Sequence, residues 1–126
     1  MIDITAFKKS LYNMISVFLK TYDAKADQDA DCKYAVYKLP SSFNGDKDNS
    51  QNIHFTLEVH VWDKNSDSTW IDDMCSTLDN SLTGTSIVTV AFYYTMERIS
   101  PFLPIPDPVD DIQHREIRYL VKVQFL

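Results

Sequence analysis

The segment from residue 53 to residue 62 alternates strictly between apolar and polar or aromatic side chains, and it limits the possible folds more than any other feature. The apolar positions are the odd ones, namely Ile53, Phe55, Leu57, Val59 and Val61. The even positions are His54, Thr56, Glu58, His60 and Trp62. Because successive side chains of a strand point to opposite faces, this pattern predicts a long strand with one face against a core.

Two segments have the three-and-four spacing of apolar residues that is typical of an amphipathic helix. The first runs from Ile4 to Leu19, and the second runs from Trp70 to Leu82. Ser66 or Ser68 can cap the second helix, and Gly84 stands where a helix end favours a left-handed residue. Each helix has one apolar stripe, so each needs a sheet face or another helix to cover it.

Three further segments have the composition of strands, namely Lys33 to Leu39, Ile87 to Met96 and Glu116 to Phe125. Four prolines lie between Ser100 and Pro108, and because proline lacks a backbone donor this segment is predicted to cross the surface without joining a sheet. Asp23 to Asp31 is predicted to be a solvated loop without a metal site. Ser41 to Asn52 is predicted to be a long surface connection.

The order of these elements predicts an α+β fold: helix, strand, strand, helix, strand, strand. We expect a mainly antiparallel four-stranded sheet with both amphipathic helices packed on one face, because this arrangement covers every apolar stripe. The chain has 126 residues, of which 44% are hydrophobic, enough for one core. Residues 1–126 are therefore predicted to form a single domain.

The charge balance argues against a nucleic-acid ligand. The formal net charge is −6 and the isoelectric point is about 4.8, so the overall positive field typical of nucleic-acid binding is missing. We therefore expect no sequence-specific nucleic-acid binding. The opening residues form neither a signal-peptide core nor a membrane span, which predicts a protein that stays in the cytoplasm and contacts no membrane.

The histidines are the first candidates for chemistry. His54 and His60 share one strand face but lie six residues apart, roughly 20 Å, which is too far for one metal ion. His114 would have to meet one of them across the sheet. A pair between a histidine and Glu58 or Glu116 is possible by cross-strand contact, although a polar row facing solvent or an interface is the simpler interpretation. We predict no catalytic, metal-binding or cofactor-binding residue, and no enzyme.

A basic strip is expected near the end of the chain, formed by Arg115, Arg118 and Lys122 together with Arg98. Two interpretations are open. Neighbouring carboxylates can neutralise the strip, or it can meet an acidic face of the next subunit in a head-to-tail ring. The second interpretation makes Arg115, Arg118 and Lys122 interface residues.

Several features together resemble a known family, the small tail-terminator or tail-completion proteins of long-tailed bacteriophages. They are the alternating strand with its sequence motif from Leu57 to Asp63, the capped helix that ends at Leu82 to Gly84, the residue Arg98, and the final strand Arg115 to Phe125. The resemblance covers nearly the whole chain in element order and size.

The resemblance implies a mechanical function. The subunit would form a hexameric ring, by itself or only on its template, that caps the tail tube, ends its polymerisation and joins the tail to the head. Its partners would be other copies of itself, the tail tube protein and a head-completion protein. Its location would be the tail or neck of the virion, and the host cytoplasm during assembly. Apolar side chains of the proline-rich segment are expected at an interface, unless they fold back onto their own domain: Phe102, Leu103 and Ile105.

Three other interpretations stay open. One is a different neck or head-tail connector component. Another is a small-ligand binding module, with a pocket between the sheet and the helices. The aromatic side chains of such a pocket would be Trp62, Trp70, Tyr93 and Tyr94. The last is a hydrolase that uses His60 with Glu58 or Asp63.

Overall fold

A computed structural model describes residues 4–26, 32–39, 53–109 and 111–126. These ranges contain two helices, α1 (Ile4–Ser16) and α2 (Thr69–Leu82). The strands are β1 (Lys20–Asp23), β2 (Tyr34–Lys38), β3 (Ile53–Lys64), β4 (Ser86–Val88), β5 (Phe92–Arg98), β6 (Leu103–Pro104) and β7 (Ile112–Phe125). Within the described ranges, no helix is long and apolar enough to cross a lipid bilayer.

All seven strands belong to one curled mixed sheet with the order β1-β2-β3-β7-β5-β4. The two longest strands, β3 and β7, are antiparallel neighbours at its centre, paired from Ile53 opposite Val123 to Lys64 opposite Ile112. On its other side β7 pairs with β5 along its second half and with the short β6 along its first half. The centre of the sheet is therefore a ladder of two long strands, which holds side chains of distant sequence positions in fixed register.

The predicted four-stranded antiparallel sheet with the order α-β-β-α-β-β is wrong. A parallel edge strand, β1, follows α1 directly, where the sequence predicts the end of a helix and the start of a loop. The segment predicted as one strand from Ile87 to Met96 is a hairpin of β4 and β5, closed by a hydrogen bond from the Thr89 amide to the Phe92 carbonyl, 2.9 Å. Local composition identifies residues that favour strands, but it does not show where a strand turns back.

The proline-rich segment joins the sheet, contrary to the prediction, through β6. Leu103 pairs with Glu116, Pro104 pairs with Arg115, and the Ile105 amide donates to the His114 carbonyl, 3.0 Å. Only alternate amides of an edge strand point toward its partner. Pro104 occupies a position between two of them, where its missing donor costs no ladder hydrogen bond.

One face of the sheet packs against both helices and forms the main core. The helices contribute fully buried side chains, namely Phe7, Leu11, Ile15, Ile71, Cys75, Leu78 and Leu82. The odd positions of β3 from Phe55 to Val61 meet them, as the alternation predicts. The Phe7 ring lies 4.6 Å from the Tyr94 ring and 5.6 Å from the Phe55 ring, measured between centroids. The even positions of β3 therefore lie on the opposite, helix-free face.

Local signals mark both ends of α2. Ser68 is the N-cap residue but its side chain makes no capping hydrogen bond. Instead, the carboxylate of Asp67 accepts a hydrogen bond from the Thr69 amide, 3.0 Å. Gly84 follows the helix with φ of 74°, the left-handed conformation expected there, and its amide donates to the Met96 carbonyl, 3.0 Å. These contacts turn the chain directly from α2 into the β4–β5 hairpin.

Candidate functional site

A polar cluster lies at the centre of the helix-free sheet face. It consists of Glu58, His60, His114, Glu116 and Arg118, which we call the strand-face cluster. The register of β3 and β7 places His60 opposite Glu116. Glu58 is opposite Arg118, and Trp62 is opposite His114. Only 7% of His60 and 5% of Glu116 is exposed, although neither belongs to the main core.

Hydrogen bonds and one longer charge contact connect the members of the strand-face cluster. His60 Nδ1 lies 2.8 Å from His114 Nε2, and His60 Nε2 lies 2.9 Å from Glu58 Oε1. Glu116 Oε1 is 3.9 Å from His60 Nε2 and accepts a hydrogen bond from Arg118 Nε, 3.0 Å. The His60 ring is therefore held between a second imidazole on one side and two carboxylates on the other.

Burial and the proximity of His60 lower the pKa of His114 from 6.5 to about 4. His114 is thus neutral near pH 7, and a hydrogen bond joins its Nε2 to His60 Nδ1, with the donor set by the tautomers of the two rings. Burial alone would raise the pKa of Glu116, but hydrogen bonds with Arg118 and Glu58, together with nearby His60, bring it below its ordinary value. The hydrogen bond between Arg118 and Glu116 also raises the pKa of Arg118, so these two residues form a charged pair.

A row of stacked rings crosses four strands beside the cluster. Trp62 stacks on His114 with centroids 4.1 Å apart, and Tyr34 stacks on the other side of Trp62 at 5.0 Å. Tyr22 meets Tyr34 edge to face at 5.8 Å. These contacts restrict the rotation of Trp62 and His114, so the ring nitrogens of the cluster keep their direction.

Acidification is expected to destabilise the protein through His114. Because the pKa of His114 is about 4 in the folded chain and 6.5 for an unperturbed histidine, only the unfolded chain binds this proton between those values. The contribution of neutral His114 to the free energy of unfolding is complete above pH 6.5, and it is lost as the pH falls to about 4. It would be about 3 kcal/mol in full, and because the ring is half-buried we expect about 1–2 kcal/mol.

The measurement is urea unfolding at several pH values between 4 and 7.5, for the native sequence and His114→Gln. Glutamine can donate or accept a hydrogen bond at the His60 ring but does not titrate. The free energy of unfolding should therefore fall less steeply with acidity in the variant. If the free energy of unfolding fell equally with acidity in both proteins, acid destabilisation through His114 would be contradicted.

The apolar residues predicted at an interface contact their own domain. Phe102 is half-buried against the main core, and the Arg98 guanidinium lies 5.1 Å from its ring centroid. Leu103 and Ile105 are also half-buried, beside the first half of β7. This packing agrees with the alternative prediction, in which the proline-rich segment folds back onto its own domain. A role for these side chains in subunit contacts stays a prediction.

The predicted basic strip is divided between the two faces of the sheet. Arg115 lies on the helix-covered face, with its Nε 3.3 Å from Asp72 Oδ1 of α2. Arg118 and Lys122 lie on the opposite face and are exposed. Arg118 is already paired with Glu116, whereas Lys122 makes no ion pair with another described residue.

The four aromatic residues of the predicted ligand pocket are not brought together. Of the two pairs predicted for a hydrolase, His60 meets Glu58 at 2.9 Å but does not meet Asp63. Tyr94 is buried in the main core, whereas Trp62 lies on the helix-free face. A groove of about 440 Å³ is lined by residues 104–107 and 112–115, which include none of the four aromatic residues of the predicted pocket. Asp63 is fully buried on the helix side, on the opposite face from His60, so the two cannot form a catalytic pair.

The contact of His114 with His60 is the main feature that the sequence does not show. The sequence contains one signal for this contact. Four residues occupy even-numbered positions in strands whose side chains alternate between two faces: Glu58, His60, His114 and Glu116. Even numbering places residues of two strands on the same face only once the pairing of the strands is known. Their register, which brings these side chains within hydrogen-bond distance, comes from the tertiary structure alone.

The fold has a solved counterpart. The chain is similar to a chain in the virion of a native gene transfer agent particle, with a TM-score of 0.63 and 12% sequence identity. The similarity covers 90% of this chain and 84% of that chain. No protein-family model and no curated protein matches the sequence. At this identity the comparison shows that the fold is shared.

Proposed function

We propose that this protein is a structural component of a phage-like virion and that it acts there as a tail terminator. The observation that carries the proposal is the fold shared with a virion chain of a gene transfer agent over 90% of this chain. The Leu57 to Asp63 motif and the final strand supply independent support, since they resemble the tail-terminator family.

In this role the subunits form a ring on the end of the tail tube. One side of the ring binds the last tube subunits and leaves no surface on which the tube can grow. The other side binds a head-completion protein. The partners are thus other copies of the chain, the tube protein and the head-side protein, and the protein uses binding surfaces without turning over a substrate or needing a cofactor.

An exposed apolar surface at one end of the sheet fits such contacts. We call it the end patch, and it consists of Val88, Val90, Phe125 and Leu126. Their exposed fractions are 59%, 99%, 43% and 70%. The Leu126 amide donates to the Ala91 carbonyl, 3.1 Å, so the end of β7 and the β4–β5 turn are neighbours. Adjacent exposed apolar side chains mark a surface that another protein covers.

The first test is the solution mass of the purified protein by light scattering over a concentration series, with negative-stain images of large species. The second test mixes the protein with polymerising tail tube protein from the same virus and measures tube length. Rings, or tubes shortened and capped at one end, are the expected results. A protein that forms no ring and leaves tube length unchanged would refute the tail-terminator function.

Two variants connect this test to the end patch. Val90→Asp introduces a charge at the most exposed residue of the patch and should abolish ring formation or capping. Val109→Asp is the matched control, because Val109 is 54% exposed but lies outside the patch, in the loop before β7. Both variants should unfold at the same urea concentration as the native protein. Equal assembly by both would show that the end patch is not the contact surface.

A further inference from the structure

We propose that Glu58, His60 and Glu116 bind a divalent transition-metal ion, with Zn²⁺ as the best fit. Each side chain offers one nitrogen or oxygen atom as a ligand, and these three atoms all lie within 4.8 Å of one another. His60 Nε2 is 2.9 Å from Glu58 Oε1 and 3.9 Å from Glu116 Oε1. In a tetrahedral zinc site with bonds of about 2.0–2.2 Å, neighbouring ligand atoms are about 3.3–3.6 Å apart. Small side-chain movements therefore suffice to place an ion between the three atoms.

The site lies on a regular ladder of two paired strands, and one of its three ligands is partly exposed. Glu58 and His60 belong to β3 and Glu116 belongs to β7, the paired strands at the centre of the sheet. The side chains of His60 and Glu116 are 8% and 6% exposed, whereas that of Glu58 is 39% exposed. The partly exposed Glu58 side would be the entry path for the ion, and a water molecule would be the fourth ligand.

The neighbours of the three ligands orient them as outer-shell groups do in metal sites. His114 Nε2 engages His60 Nδ1 at 2.8 Å, which leaves Nε2 of His60 directed toward the carboxylates. Arg118 holds Glu116 through a 3.0 Å hydrogen bond. Metal-binding histidines and carboxylates usually have such hydrogen-bonded partners, which fix the ring and the carboxylate in the binding geometry.

The donor types select the class of ion. An imidazole nitrogen with two carboxylates suits Zn²⁺ and similar transition metals, whereas Mg²⁺ and Ca²⁺ need six or more oxygen ligands. The ion would also neutralise the repulsion between two neighbouring carboxylates. The sequence argument against a metal site concerns the distance between His54 and His60. His54 takes no part in the proposed site, so that argument does not apply to it.

The test uses metal-free full-length protein, prepared with a chelator that is then removed, and titrates it with ZnCl₂ by calorimetry. We expect one ion per chain. Co²⁺ as a probe should give the visible absorption of a four-coordinate site. Glu58→Gln removes one ligand charge at a partly exposed position and should lower the affinity at least about tenfold, comparable with the effects of losing outer-shell partners. His60→Ala should abolish binding at the site.

His54→Ala is the matched control, since His54 is an exposed histidine on the same face of β3. It should bind Zn²⁺ with unchanged affinity. Unfolding curves of all variants in the absence of metal separate lost ligands from lost folding. The proposal is refuted if folded Glu58→Gln binds as tightly as the native protein, if His54→Ala weakens binding as much as Glu58→Gln, or if no stoichiometric binding occurs. None of these outcomes depends on the virion function.

Discussion

Replacing Phe7 with alanine is expected to lower the free energy of unfolding by about 3–5 kcal/mol, as for other large buried aromatic side chains. Phe7 is completely buried in α1, and its ring contacts those of Phe55 in β3 and Tyr94 in β5. The helix has only 13 residues and would be marginal in isolation. Its docking therefore depends on this stripe of buried side chains. Urea unfolding followed by circular dichroism measures the loss.

The matched control is Tyr12→Ala, which removes an aromatic ring from the same helix. Tyr12 is 40% exposed, and its replacement should change the free energy of unfolding far less than that of Phe7. A similar loss in both variants would contradict the orientation of α1 on the sheet. A small loss in both would show that α1 adds little to the stability of the core.

Replacing Asp79 with alanine is expected to cost about 2–3 kcal/mol, because it leaves a buried hydroxyl without its charged acceptor. The hydroxyl group of the fully buried Tyr119 donates to Asp79 Oδ1, 2.9 Å, and this contact connects α2 to β7. Burial and this hydrogen bond raise the pKa of Tyr119, so the hydroxyl keeps its proton and stays a donor. Arg98, 3.7 Å from the same carboxylate, adds a weaker, more exposed attraction.

A double-mutant cycle identifies the source of this loss. In a Tyr119→Phe background the Asp79→Ala substitution should cost at least about 1 kcal/mol less, because the unsatisfied hydroxyl is already gone. Asp73→Ala is the control, since Asp73 is an exposed aspartate of the same helix and its loss should have little effect. Strict additivity in the cycle would mean that the hydrogen bond contributes nothing to stability.

The proposed mechanical function and the proposed metal site concern different parts of the molecule. The end patch lies at the end of the sheet formed by the β4–β5 turn and the end of β7. The strand-face cluster lies farther along β3 and β7, around the pairing of His60 with Glu116. Variants at one surface are therefore expected to leave the other intact, so assembly and metal binding can be measured separately on the same set of proteins.

Several features of the fold could be predicted because they depend on neighbouring residues. The alternation from Ile53 to Trp62 determined a strand and assigned each side chain to a face. The spacing of apolar residues determined two amphipathic helices, and Gly84 determined the end of the second one. These are local properties, since the direction of a side chain follows from the backbone period.

The tertiary structure alone decided which strands are neighbours and in what register. The parallel strand β1 and the short strand β6 exist only because β2 and β7 offer free edges to them. The same is true of the strand-face cluster, since a register shift of two residues would separate His60 from Glu116. Residues on β3 and β7 are more than forty positions apart in sequence, and their pairing depends on the packing of the whole core, which no local pattern encodes.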